Sequence, residues 1–158
     1  LYIAEMETPW KLKTVQVMLS TPDYDWERRG FWVNEGPAVL KHGEYIFLTY
    51  SASDTSANYC MGMLYANKNS DLLDPLSWKK SRYPVLATDR EKGIFGPGHN
   101  SFTKSEDGTK DIMFFHARQY EEIIGNPLYD PNRHTLTMEI GWSDDGMPVF
   151  EYQKQVYE

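Results

Sequence analysis

The chain has 158 residues, 15% of them aromatic, and a formal net charge of −7. This length is enough for one ordinary domain with a core of its own. The acidity argues against a protein that grips nucleic-acid phosphates, which needs a basic surface. No run of about 18 uninterrupted apolar residues occurs, so a membrane-spanning helix is excluded. With Cys60 as the single cysteine, an internal disulfide and a cysteine-based metal cluster are excluded too.

The chain opens Leu1-Tyr2-Ile3-Ala4-Glu5, with no basic n-region, no small-residue cleavage site and no initiating Met. It reads as starting inside a strand of a longer protein, and cellular location is not legible from this end. Short apolar–polar alternations bounded by turn residues predict strands at Tyr2–Met6, Ala38–Leu40, Tyr45–Ser51, Met61–Ala66, Ser101–Thr103, Asp111–Ala117 and Thr135–Trp142. Lys41-His42-Gly43-Glu44 and Ser105-Glu106-Asp107-Gly108 read as hairpin turns. No helical period appears, so the class is all-β. The aromatic residues suit sheets, and their flat faces also suit sugar-binding clefts.

A longer period overlies these strands. Leu1-Tyr2-Ile3-Ala4, Trp10-Lys11 and Val17-Met18-Leu19 are echoed by Met63-Leu64-Tyr65-Ala66, Trp78-Lys79 and Pro84-Val85-Leu86. Trp142-Ser143-Asp144-Asp145-Gly146 and Pro148-Val149-Phe150 echo the end of that unit, at a spacing of roughly 65 residues. Between the echoes lie two matching hairpins, one entered through Gly36-Pro37 and one through Gly96-Pro97-Gly98. A four-stranded unit repeated at this spacing is a propeller blade with generous loops. About two and a half blades cannot close a ring, because each blade buries its faces on its neighbours. Residues 1–158 are therefore expected to be the C-terminal part of one β-propeller domain, stable only with its remaining N-terminal blades, on the same chain or bound in trans.

Glu35 and His99 occupy equivalent places in their two blades, just before the innermost strand that lines a propeller's axis. Phe31, Trp32 and Tyr59 would desolvate the Glu35 carboxyl, an environment that suits a general acid. A solvated loop glutamate is the plainer alternative. For His99, a histidine bonded to nearby backbone and a metal or water ligand are both open.

Trp32-Val33-Asn34-Glu35-Gly36-Pro37-Ala38-Val39, followed by Phe47-Leu48-Thr49-Tyr50-Ser51-Ala52-Ser53, resembles the general-acid blade of family 43 glycoside hydrolases. Gly96-Pro97-Gly98-His99-Asn100-Ser101-Phe102 with Phe115-His116-Ala117-Arg118 resembles the next blade, and Pro127 to Thr135 the arginine-bearing segment before the last strands. The ordered set runs over nearly the whole chain and is closest to α-L-arabinofuranosidase-like members. The resemblance implies a five-bladed propeller that hydrolyses arabinose- or xylose-containing saccharides, such as arabinan and xylan, with inversion. Inversion requires an acid on the leaving oxygen and a base activating water on the opposite face.

By the same resemblance Glu35 is the acid, and the base and a third, tuning carboxylate lie upstream of Leu1. This chain alone is therefore expected to be inactive. Glu5 and Glu7 fall on an outer-strand pattern and are not substitutes. His99 would hold an axial calcium ion, although calcium prefers oxygen ligands; no organic cofactor is implied. Arg133 would donate to a sugar hydroxyl, unless it pairs with Asp130 or Glu139. Trp32, Tyr59 and Cys60 are candidate walls of the sugar pocket, Cys60 as a small residue without nucleophilic role. His116 and Arg118 are weaker candidates, equally explained by packing and surface pairing. An exo-α-L-arabinofuranosidase is the leading expectation. The alternatives are a β-xylosidase, an endo-arabinanase and a non-catalytic sugar-binding propeller. The long segment Ala117–His134 could wall off one end of a groove, which favours exo action.

Overall fold

The computed structural model describes residues 1–154. Thirteen strands run through them in chain order. They are β1 (Tyr2–Ile3), β2 (Met6–Thr8), β3 (Lys11–Leu12), β4 (Val17–Met18), β5 (Asn34–His42), β6 (Tyr45–Ala52) and β7 (Cys60–Asn67). These are followed by β8 (Lys79–Lys80), β9 (Phe95–Lys104), β10 (Asp111–Arg118), β11 (His134–Glu139), β12 (Gly141–Trp142) and β13 (Pro148–Val149). Single turns of 3-10 helix at Asp25–Glu27, Pro75–Ser77 and Pro127–Tyr129 are the helical elements among the described residues.

The complete blade is the antiparallel sheet β5-β6-β7-β8. The following blade is β9-β10-β11, carried onto the β12-β13 hairpin by Ile140 N–H, which donates to Asp111 O at 2.8 Å. Before them, β1 pairs with β4 as the outer half of a third blade, and the β2-β3 ribbon is inserted between these two strands. The sequence echo is therefore real, but its outer part is shifted. Val17-Met18-Leu19 corresponds to Lys79-Lys80-Ser81 rather than to Pro84-Val85-Leu86. Tyr2 pairs with Met18 as Leu64 pairs with Lys80, and Leu19 N–H reaches Leu1 O as Ser81 N–H reaches Met63 O, each at 2.9 Å. Tyr2 to Met18 and Leu64 to Lys80 span the same number of residues, so the two connections match in length and the apparent echo passes over β8 to the segment beyond it.

Two cores hold the blades together. Leu40, Phe47, Met61 and Met63 meet Met113, Phe115, Met138 and Ile140 between the two larger sheets. Leu48, Tyr50, Ala52 and Leu64 meet Leu1, Leu19 and Trp26 on the other side. β6 thus has both faces covered, and successive side chains feed opposite cores. Burying each large apolar side chain contributes about 1.5–3 kcal/mol. On the far faces of the outer units, Tyr2, Met18 and Phe114 are exposed, as expected of surfaces on which further blades pack.

The predicted inner strands, Ala38–Leu40 and Ser101–Thr103, are extended backward to Asn34 and Phe95. Glu35 and His99 therefore lie inside strands, where the Gly-Pro segments form bulges rather than loops.

Candidate active site

In β5, Glu35 pairs with Ser51 and Ala38 with Thr49, so one extra residue is accommodated at Gly36-Pro37. Gly36 has φ +56°, a conformation costly for residues with a β-carbon. In β9, Gly98 pairs with His116 and Ser101 with Phe114, so His99 falls in an equivalent bulge with φ +48°. A left-handed non-glycine residue is uncommon. It is held by a hydrogen bond from His99 N–H to the buried Ser51 Oγ at 2.7 Å. Bulges re-aim side chains beside active sites, and here two of them converge. A β-carbon added at Gly36 would stand 3.1 Å from His99 Nδ1, so the imidazole lies directly over the Gly36 backbone.

Tyr59 completes the cluster. Its hydroxyl donates to Glu35 Oε1 at 2.6 Å and lies 3.5 Å from His99 Nδ1. The ring is 2% exposed and stacks on His116, with centroids 5.5 Å apart and planes 12° from parallel. Burial, then the bond to Glu35, pushes the phenol above its ordinary pKa, which keeps it a donor. Burial also lowers His116 to about 4, helped by the positive charge of Arg133 and the neighbouring His99 and Arg118, so its imidazole is neutral near pH 7. His116 Nδ1 has no hydrogen-bond partner among the described residues.

Glu35 opens into a cleft of about 370 Å³ lined also by Phe31, Val33, Asp54, Asn126 and Leu128. Asp54 is held through one oxygen, Oδ1, which accepts from Ser56 N–H, Ser56 Oγ and Asn58 Nδ2. One wall of the cleft comes from the connection between β10 and β11. The 1%-exposed Arg118 fixes this connection by donating to Asp130 Oδ1 at 3.0 Å, Pro127 O at 2.9 Å and Thr55 O at 2.7 Å. Arg118 is thus a buried anchor rather than a surface pair. Asp130 is taken by Arg118 and Glu139 by Lys110, so neither holds Arg133. Arg133 Nη2 donates to Leu128 O at 3.3 Å, and its charge acts on both Tyr59 and His116.

Not every sequence candidate joins this group. Phe31 lines the cleft, but Trp32 is 68% exposed and lies under the Arg28 guanidinium, 5.0 Å from its ring centroid. Cys60 faces away from Glu35, packed with Leu48, Tyr50 and Leu64, its thiol 3.8 Å from Trp26 O and pushed up to about 12 by burial. Side-chain alternation at the entry to β7 sends Tyr59, the residue before the strand, and Cys60, its first residue, to opposite sides. Glu5 and Glu7 are exposed on the β2-β3 ribbon, paired with Lys13 and Lys11. For calcium, no group of three His, Cys, Asp or Glu residues among those described converges on a point. His99 offers a single imidazole nitrogen, so a calcium ion beside it would draw its six to eight oxygen ligands mainly from water.

A family model described as Glycosyl hydrolases family 43 matches residues 1–148. The chain belongs to this family. Among family 43 relatives, it is 52% identical over 150 residues to a protein of Streptomyces avermitilis named extracellular exo-alpha-(1->5)-L-arabinofuranosidase, and 49% identical to alpha-L-arabinofuranosidase 43 of Humicola insolens. Each match covers 95% of this chain and 31% of the relative. The crystal structure of an alpha-L-arabinofuranosidase from Lactobacillus brevis superposes with a TM-score of 0.94 at 54% identity, over 99% of this chain and 49% of that one. The chain thus spans about half the length of that structure and corresponds to about two and a half blades of the five-bladed family 43 propeller.

Proposed function

We propose that the protein carrying this chain is an inverting exo-α-L-arabinofuranosidase in which Glu35 is the general acid. One observation carries the reading: a carboxyl held by a single buried donor, at a bulge of the innermost strand, opens onto a cleft able to take a saccharide. Glu35 would protonate the leaving glycosidic oxygen as the bond to the arabinosyl anomeric carbon breaks. The cleft beside it would take the departing unit. Water activation on the opposite face belongs to a carboxylate outside these residues. Arg133, beside Tyr59 and His116, would donate to a sugar hydroxyl with its rigid fork.

The names of the relatives support an arabinose-containing substrate and an extracellular setting. The connection anchored by Arg118 walls one side of the cleft, and this supports exo rather than endo action. No step is routed through a metal, given the donor set around His99.

The test is hydrolysis of a nitrophenyl α-L-arabinofuranoside and of a linear arabino-oligosaccharide by the full-length protein, with the first-formed anomer followed by NMR. Release of single arabinose units with inverted configuration, lost on Glu35→Gln, is the expected result. Retained configuration would overturn the mechanism, and a preference for the matching xyloside would favour a β-xylosidase. Residues 1–158 alone are expected to be inactive for want of the base.

A further inference from the structure

The sequence places Tyr59 among possible sugar contacts, yet its side chain is almost wholly enclosed. Its ring has His116 stacked on one face, and Gly98 comes so close that a β-carbon there would lie 2.5 Å from Tyr59 Cε1. Only the hydroxyl reaches the cluster, and it donates its one proton to Glu35 Oε1. We propose that Tyr59 is the positioning residue of the acid: by occupying Oε1 it fixes the carboxyl's orientation and leaves Oε2 to carry the transferable proton. This assignment rests on the reading of Glu35 as the acid.

The chemistry follows from the donor's direction. Before reaction Oε2–H is the donor to the leaving oxygen, while Oε1, the carbonyl oxygen, accepts from Tyr59. As the glycosidic bond breaks, its electron pair goes to the leaving oxygen and the proton passes from Oε2 to that oxygen, leaving a carboxylate. The Tyr59 hydrogen bond persists and strengthens, because hydrogen bonds to ionised acceptors are the stronger ones. A bond that is stronger at the transition state than before it accelerates the step. The stacked His116 and the absence of a side chain at Gly98 keep the phenol from swinging away.

The test compares phenyl and 2,4-dinitrophenyl α-L-arabinofuranosides in the full-length protein. Dinitrophenolate departs without protonation, whereas phenolate needs the acid. Tyr59→Phe keeps the packed ring and should lower kcat/KM about 10–100-fold on the phenyl substrate, but far less on the dinitrophenyl one. Gly98→Ala, which displaces the ring without removing the hydroxyl, should split the two substrates in the same sense, and it decides the matter if Tyr59→Phe does not fold. Equal losses on both substrates, or none on either, would overturn the assignment. Glu35→Gln is the reference. If it splits the substrates and the other variants do not, only the role of Tyr59 falls; if it does not, the acid itself is misassigned.

Discussion

Two glutamates eight positions apart meet opposite fates. Glu27 is fully buried, and its carboxylate accepts from Asp23 N–H, Tyr24 N–H, Asn34 Nδ2, Tyr50 Oη and Lys80 Nζ, all between 2.7 and 3.0 Å. Glu35 accepts from Tyr59 alone among the described residues and opens onto the cleft. A carboxylate with every lone pair engaged is a structural fixture that has nothing left to offer a substrate. One held at a single oxygen is oriented and still chemically available. The two are linked, since Asn34, which precedes Glu35, donates to Glu27 and accepts from Ser20 Oγ at 2.8 Å.

The sharpest way to break this contrast is to neutralise each glutamate in turn. Glu35→Gln should reduce kcat/KM on unactivated arabinosides by about 10²–10⁴-fold, while urea unfolding shifts by no more than about 0.5 kcal/mol. Glu27→Ala should do the reverse, destabilising by about 3–5 kcal/mol because Lys80 and four other donors lose their buried partner. A variant at position 27 that unfolds like the wild type would end the distinction. Tyr50→Phe removes one of the five donors and should cost about 1–3 kcal/mol in the same unfolding assay, with the leaving-group response unchanged.

The smallest effect concerns pH. His116 titrates at about 4 in the folded protein against an ordinary 6.5. The unfolded chain therefore takes up a proton that the folded one refuses. Stability present above 6.5 is lost as pH falls toward 4. The carboxylates with lowered pKa, such as Asp23 and Asp130, act below this window. The urea midpoint should fall between pH 7 and 4, and His116→Phe, which keeps a ring against Tyr59, should flatten that slope.

The fold was legible because blades repeat: turn residues and alternation marked β6, β7 and β10 within a residue or so. Glu35 and His99 stood out as unlike polar residues at nearly the same repeat position in Gly-Pro settings, although the pairing sets His99 level with Gly36 and Glu35 level with Gly98. Several other features did not show. The bulges needed the pairing register, which no local pattern fixes. Glu27 lies in the charged run Asp25-Trp26-Glu27-Arg28 and looks like a surface residue, because its five donors come from segments as distant as Lys80. Tyr59 and Cys60 looked alike as wall residues until strand alternation separated them, and for Arg118 packing and surface pairing read equally well until its three acceptors appeared.

Those acceptors have a mechanical consequence. A single guanidinium ties the turn after β6 to the connection after β10, so the two lips beside Glu35 cannot separate without tearing charged bonds from a dry interior. The opening therefore behaves as a gauge of set width rather than a flap.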